Sequence, residues 1–183
     1  MIIDAAIRVI GASRGASVSV DDVLAEAGLS TRAFYRHFES KEALLEALML
    51  REAAAVRRSL TRVVAKAPDP VAALNAWLDR YLDVFYEPRR AERASWLTSA
   101  SYQASRPSAQ MMQEMRRMSC APLVEALREG HTMGVLYSPT PEADAFTIYD
   151  LVNAHHQASS KPDRAATVAH VVRFAWPALR LNS

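Results

Sequence analysis

Between Val18 and Leu45 the chain sets a demand that few folds can meet: two short helical patterns must turn sharply at Gly28-Leu29-Ser30. The first, Asp21 to Ala27, sets Val20, Val23, Leu24 and Ala27 at helical spacing. Gly28 stands where a helix end needs a left-handed residue, because glycine has no Cβ to clash. Ser30 can then cap the next helix by accepting a backbone N–H. Two helices joined by a turn of about three to four residues containing glycine make a helix-turn-helix.

The second helix is predicted over about Thr31 to Phe38. At about 100° per residue, Phe34 and Phe38 fall on one face and Arg32 and Arg36 on nearly the opposite one. The aromatic rings anchor the helix while the guanidinium groups face outward. Arginine bonds bidentately to guanine edges and pairs with phosphates, so an exposed pair here suits the major groove of double-stranded DNA. Thr31, Ala33 and Tyr35 flank that face. His37, Ser40 and Lys41 follow, and hydroxyl, imidazole and ammonium groups all hold phosphates.

The whole string is more specific than its parts. Residues 2–48 closely resemble the DNA-binding head of the TetR family of bacterial regulators. The resemblance rests on IIDAAIRVI, VDDVLAEAGLS and AFYRHFESKEALLEAL, and FYRHF-x-SKE-x-L is its most specific run. It implies an all-α chain: a three-helix head over residues 1–46 and a helical ligand-binding and dimerisation body over 47–183. It also implies that Thr31, Arg32 and Tyr35 face DNA, with His37 and Lys41 near the backbone. The full set of expected DNA contacts is Ser30, Thr31, Arg32, Ala33, Tyr35, Arg36, His37 and Lys41. Two departures stand out. The segment Gly15 to Val20 is about one residue shorter than the usual loop, and the chain starts at the first helix without a basic leader. If the chain truly begins there, backbone contacts from an N-terminal arm are missing.

Bulk charge gives no support for nucleic acid. The net charge is +2. Residues 1–50 hold five Lys/Arg (Arg8, Arg14, Arg32, Arg36 and Lys41) against seven Asp/Glu. A DNA reading therefore rests on local placement, and Asp21, Asp22 and Glu26 must be turned away from phosphates. Low basicity predicts modest non-specific binding. The lone Cys120 excludes an internal disulfide and is expected to be a small buried hydrophobe. No run approaches the roughly 18 apolar residues of a membrane span, and Asp4 argues against a signal peptide. A cytoplasmic protein without a membrane partner is expected.

The remainder reads as helices, with only five glycines and nine prolines in 183 residues. About nine helices are predicted. A helix from near Lys41, capped by Ser40, meets no breaker until Pro68 and links head to body. Asp69 and Pro70 open a helix to Tyr86. Further helices are expected over about Arg89–Ala104, from Pro107 to Glu129 with a kink or split at Pro122, from Thr140 to about Ser159, and from near Pro162 to about Leu181. Trp77, Tyr81, Phe85, Trp96, Tyr102, Met111, Met115, Met118, Phe146 and Tyr149 are candidates to line a cavity. Methionines adapt to irregular shapes, and pockets are mostly apolar. As a group they favour an apolar or aromatic small-molecule effector, with a cationic one also admitted because aromatic faces attract cations.

The last two helices carry small apolar faces. Packing within one chain would explain them. The resemblance implies instead a four-helix interface with a second copy, through Ile148, Leu151, Val152, His155, Ala169, Val172 and Trp176. His155, His156 and His170 invite a metal reading, but adjacent helical histidines point about 100° apart, so no metal or cofactor is expected. No nucleophile-and-base motif suggests an enzyme. The reading is a homodimeric repressor released from a near-palindromic operator by its effector. The alternatives are an activator, a ligand-independent regulator, or a helical small-molecule carrier that has lost DNA binding.

Overall fold

The structure is a computed structural model that describes residues 2–12, 20–87, 108–158 and 163–180. Among them run eight helices and no strand: α1 (Ile2–Ala12), α2 (Val20–Ala27), α3 (Thr31–Tyr35), α4 (Lys41–Val64), α5 (Pro70–Tyr86), α6 (Ala109–Thr132), α7 (Pro141–Ala158) and α8 (Arg164–Leu179). The all-α class expected from the sequence is observed. The predicted helix over 89–104 and residues 15–19 of the shortened loop lie outside the described residues.

Local chemistry sets most helix starts. Ser30, Ser40, Asp69, Ser108 and Asp163 each occupy an N-cap in extended backbone, with the side chain accepting the N–H three residues on. Asp69 Oδ1 takes the Ala72 N–H at 2.7 Å, and Pro70 follows at the first helical position, where its missing N–H costs nothing.

Two expectations need correction. α3 stops at Tyr35, not Phe38; the N–H groups of His37 and Phe38 both return to the Phe34 carbonyl, at 2.8 and 2.9 Å, in a tightened final turn. α6 is one continuous helix through Pro122 and is not split. Proline removes the bond to the carbonyl four residues back. Here Ser119, Cys120, Pro122, Leu123, Val124, Ala126 and Leu127 are all buried, so tertiary packing supports the helix on both sides of the proline.

Two apolar clusters organise the molecule. The first gathers Ala5 and Ala6 of α1, Val23 and Leu24 of α2, Phe34 of α3, and Leu44, Leu48 and Met49 of α4. Met111 of α6 joins it, with Met115 packed alongside. The second gathers Leu60 of α4 with Leu74, Trp77, Tyr81 and Leu82 of α5, Cys120, Leu123 and Leu127 of α6, Ile148 and Val152 of α7, and Val171 and Leu179 of α8. α4 thus serves both clusters and runs unbroken through the expected boundary at residue 46.

Candidate functional site

The turn between α2 and α3 is built from its own backbone. Gly28 has φ +63°. Its N–H bonds to the Ala25 carbonyl at 3.2 Å, and the Leu29 N–H reaches back to Leu24 at 3.0 Å. That pair of bonds is a Schellman motif, and Leu24 and Leu29 supply its apolar contact within the head cluster. Ser30 Oγ then accepts the Ala33 N–H at 3.3 Å. One short segment therefore ends one helix, reverses the chain and starts the next.

α3 sorts its side chains as the spacing demands. Phe34 is fully buried, and its ring lies 5.7 Å from half-buried Phe38. Burying a phenylalanine is worth about 1.5–3 kcal/mol, enough to hold a five-residue helix that would not persist alone. Ser30, Thr31, Arg32, Arg36 and His37 are exposed, Ala33 is half-buried, and Tyr35 is 62% exposed. Tyr35 packs edge-on against Phe34, with ring centroids 5.2 Å apart, so its hydroxyl end is propped outward. No described residue forms an ion pair with Arg32 or Arg36. Lys41 opens α4, but its side chain lies outside the described residues.

Two acids of the head are engaged by basic partners. Glu26 Oε1 takes Arg8 Nε at 2.7 Å, joining α2 to α1. Asp4 Oδ1 takes Arg51 at 2.5 Å, joining α1 to α4. Both pairs are exposed, so solvent screens them and they act mainly by orienting helices.

The candidate effector residues fall into separate groups. Trp77 and Tyr81 stack at 5.0 Å inside the closed body core. The Trp77 indole N–H donates to the Ser119 carbonyl at 3.0 Å. Tyr81 meets Phe85 edge-on and Tyr149 at 5.2 Å, and Asn153 Nδ2 donates to its hydroxyl at 3.0 Å. Burial raises the Tyr81 phenol well above its ordinary value and also raises that of Tyr149, so both stay neutral. Met111 and Met115 pack on the head cluster, away from this aromatic group, and Met118 is half-buried. Phe146 lies under the Arg116 guanidinium at 4.4 Å and borders an open groove of about 500 Å³ with Arg128, Thr140, Pro141, Glu142 and Ala143. Trp96 and Tyr102 lie outside the described residues.

Asn153 and Arg116 were missed by the sequence reading. The only signal was spacing: Asn153 follows Tyr149 by one helical turn, and Arg116 precedes Cys120 by one. Arg116 also pairs with Asp150 at 2.5 Å, bridging α6 and α7. Cys120 is fully buried, and burial pushes its thiol up to about 12, which suits the inert hydrophobe expected of it.

Of the residues expected at a dimer face, Ile148 and Val152 are buried within their own chain. Leu151, His155, Val172 and Trp176 are half-buried, and Ala169 is exposed. Around them Ala154 and Ala158 of α7, and Ala165, Ala166 and Phe174 of α8, are exposed, Phe174 by 53%. Among the described residues no group of three or more His, Cys, Asp or Glu gathers to hold a metal. His155 and His156 part as helical geometry requires: His155 stacks on His170 of α8, and His156 on Phe85 of α5. No described helix is long and apolar enough to cross a membrane.

Comparison with known proteins bears on the head first. Residues 2–48 match the family described as bacterial regulatory proteins, tetR family. No curated protein matches the chain. Among solved structures, a protein from Mesorhizobium loti assigned to the TetR-family transcriptional regulators superposes with a TM-score of 0.71 at 17% identity, over 98% of this chain and 95% of that one. A TetR transcriptional regulator from Streptomyces coelicolor gives 0.57 at 26% identity, over 100% and 98%. A flavonoid-responsive regulator, FrrA, gives 0.61 at 21% identity, over 100% and 96%.

Proposed function

Because residues 2–48 match the tetR family of bacterial regulatory proteins, we propose that the chain is a homodimeric DNA-binding repressor released from its operator by a small apolar or aromatic ligand. The observation that carries this reading is the sorting of α3. Phe34 is sunk in the head core, while Arg32, Tyr35 and Arg36 stand exposed on the outside. That arrangement offers two guanidinium groups and a phenol to a major groove. One short helix cannot read a long site. Two heads reading half-sites about 34–36 Å apart can. The exposed alanines and Phe174 on α7 and α8 are the face on which a second copy would sit, and the protein would act in the cytoplasm.

Effector response needs a route from body to head. α4 is shared by both cores, and Met111 plugs α6 into the head cluster. A ligand that binds the body unequally in two arrangements of these helices shifts the heads; one that binds them equally shifts nothing. The aromatic group around Tyr81, Phe85 and Tyr149 supports an aromatic effector, and FrrA, of similar fold, is a flavonoid-responsive regulator.

The test is selection of genomic DNA fragments on purified protein, followed by titration of the best fragment. A near-palindrome bound by one or two dimers is expected. Arg32→Ala or Arg36→Ala should each cost about 1–3 kcal/mol at that site, whereas Lys41→Ala should weaken all sequences alike and flatten the salt dependence. Binding in the parent protein that is blind to sequence and erased by salt would overturn the reading and favour a helical carrier.

A further inference from the structure

α7 and α8 carry His155, His156 and His170, three of the five histidines in the chain. The structure gives them two different settings. His156 ends a directed relay. Thr167 Oγ1 donates its only proton to the Asp163 carbonyl at 3.0 Å, so it accepts from the Tyr86 hydroxyl at 2.8 Å. The Tyr86 proton is then spent, and His156 Nδ1, 3.3 Å away, must be the donor to it. A proton added at His156 Nε2 leaves every bond of this relay intact.

His155 and His170 have no such outlet. Their rings lie face to face across the two helices, with centroids 4.3 Å apart and planes within 20°. On α8 the His170 ring also meets Phe174 at 4.8 Å, and Arg173 lies over the same phenylalanine at 4.2 Å. The charged groups facing the pair are His156 on α7 and Arg173 on α8, and both add positive charge. On α5, Phe85 and Tyr86 contact the cluster through His156. The nearby carboxylates are engaged elsewhere: Asp79 and Asp83 by Arg164, and Asp163 by the Ala166 N–H. Neutral rings stack favourably, whereas two imidazolium rings at this separation repel.

We infer that the His155–His170 stack is a pH-sensitive latch between α7 and α8, keeping the dimerisation face formed while at most one ring is charged and releasing it in acid. The inference rests on the homodimer reading above. Ala169 and Phe174, exposed beside the stack, place it at the edge of that face.

The sign follows from proton linkage. Burial, then the charges of His155 and Arg173, hold His170 below the ordinary value of 6.5. A base depressed while the stack is formed favours the formed stack above its ordinary pKa and opposes it as pH falls below that value, and a dimer that needs the formed face inherits that sign. Once acid has opened the stack in the separated chain, the dissociation constant of a dimer that keeps it closed rises by at most about tenfold per pH unit per stack.

Sedimentation equilibrium of the full chain at pH 8, 6.5 and 5.5, with circular dichroism to monitor helix content, tests this. A dimer that loosens several-fold as pH falls from 6.5 to 5.5 with its helices intact is expected, and His155→Gln or His170→Gln should flatten the dependence. A wild-type dimer of constant affinity overturns the latch and leaves the dimer standing. So do glutamine variants that keep the wild-type slope. A chain that is monomeric at pH 8 overturns the dimer reading and the latch with it. Ring-proton titration of His170 in the wild-type protein needs no variant: a value below the usual imidazole range supports the latch, and one at or above it refutes it.

Discussion

Gly28 is the residue on which the head's geometry can be tested most cleanly. Its φ is +63°, and a Cβ built there would meet nothing within 4 Å. Steric contact with the rest of the protein is therefore not the issue, and the whole cost of a side chain is local. An L residue in the left-handed region pays about 1–2 kcal/mol. Replacing glycine by alanine also stiffens the unfolded chain, which returns about 0.4–1 kcal/mol. Gly28→Ala should therefore lower stability by about 0.5–1.5 kcal/mol. Gly28→Asn should lose less, because asparagine enters this region more readily, and Gly28→Val should lose more, because a β-branched residue there is an outlier. Urea denaturation followed by circular dichroism gives the ordering. Amide exchange in α2 and α3 shows whether the loss is local to the head. An alanine variant that unfolds at the wild-type midpoint, or an asparagine variant as weak as alanine, would refute the positive-φ argument.

Other consequences are as direct. Trp77→Phe removes the indole bond to Ser119 and part of a fully buried ring, so it should cost about 2 kcal/mol in the same urea assay, from the lost hydrogen bond and the space left in the core. Gly130→Ala tests the opposite case from Gly28: its new Cβ would lie 2.6 Å from Leu136 Cδ1, and Leu136 is 5% exposed. Overpacking there should cost about 1–3 kcal/mol, partly recovered by Leu136→Val. Met111→Ala should cost about 2–5 kcal/mol and raise amide exchange in α1 to α3 as well as in α6, because Met111 belongs to the head cluster; exchange raised in α6 alone would show that the two parts are not coupled there.

The sequence by itself determined what is local. Caps, prolines and one glycine marked the helix starts and the reversal at Gly28, because those signals act through bonds within a few residues. The split of Phe34 and Phe38 from Arg32 and Arg36 was legible for the same reason: helical periodicity places side chains before any tertiary contact forms. Tertiary structure alone decided the rest. It carried α6 unbroken past Pro122, because burial of both halves outweighs one lost bond. It sent Met111 and Met115 to the head and left Trp77 and Tyr81 in the body core, although all four looked alike as cavity candidates. It turned Ile148 and Val152 into their own core and set Ala169 and Phe174 outside. Periodicity says which residues share a face. Which neighbour covers that face depends on contacts between segments tens of residues apart, such as Trp77 with Ser119 or Tyr86 with Thr167, and no local pattern encodes them.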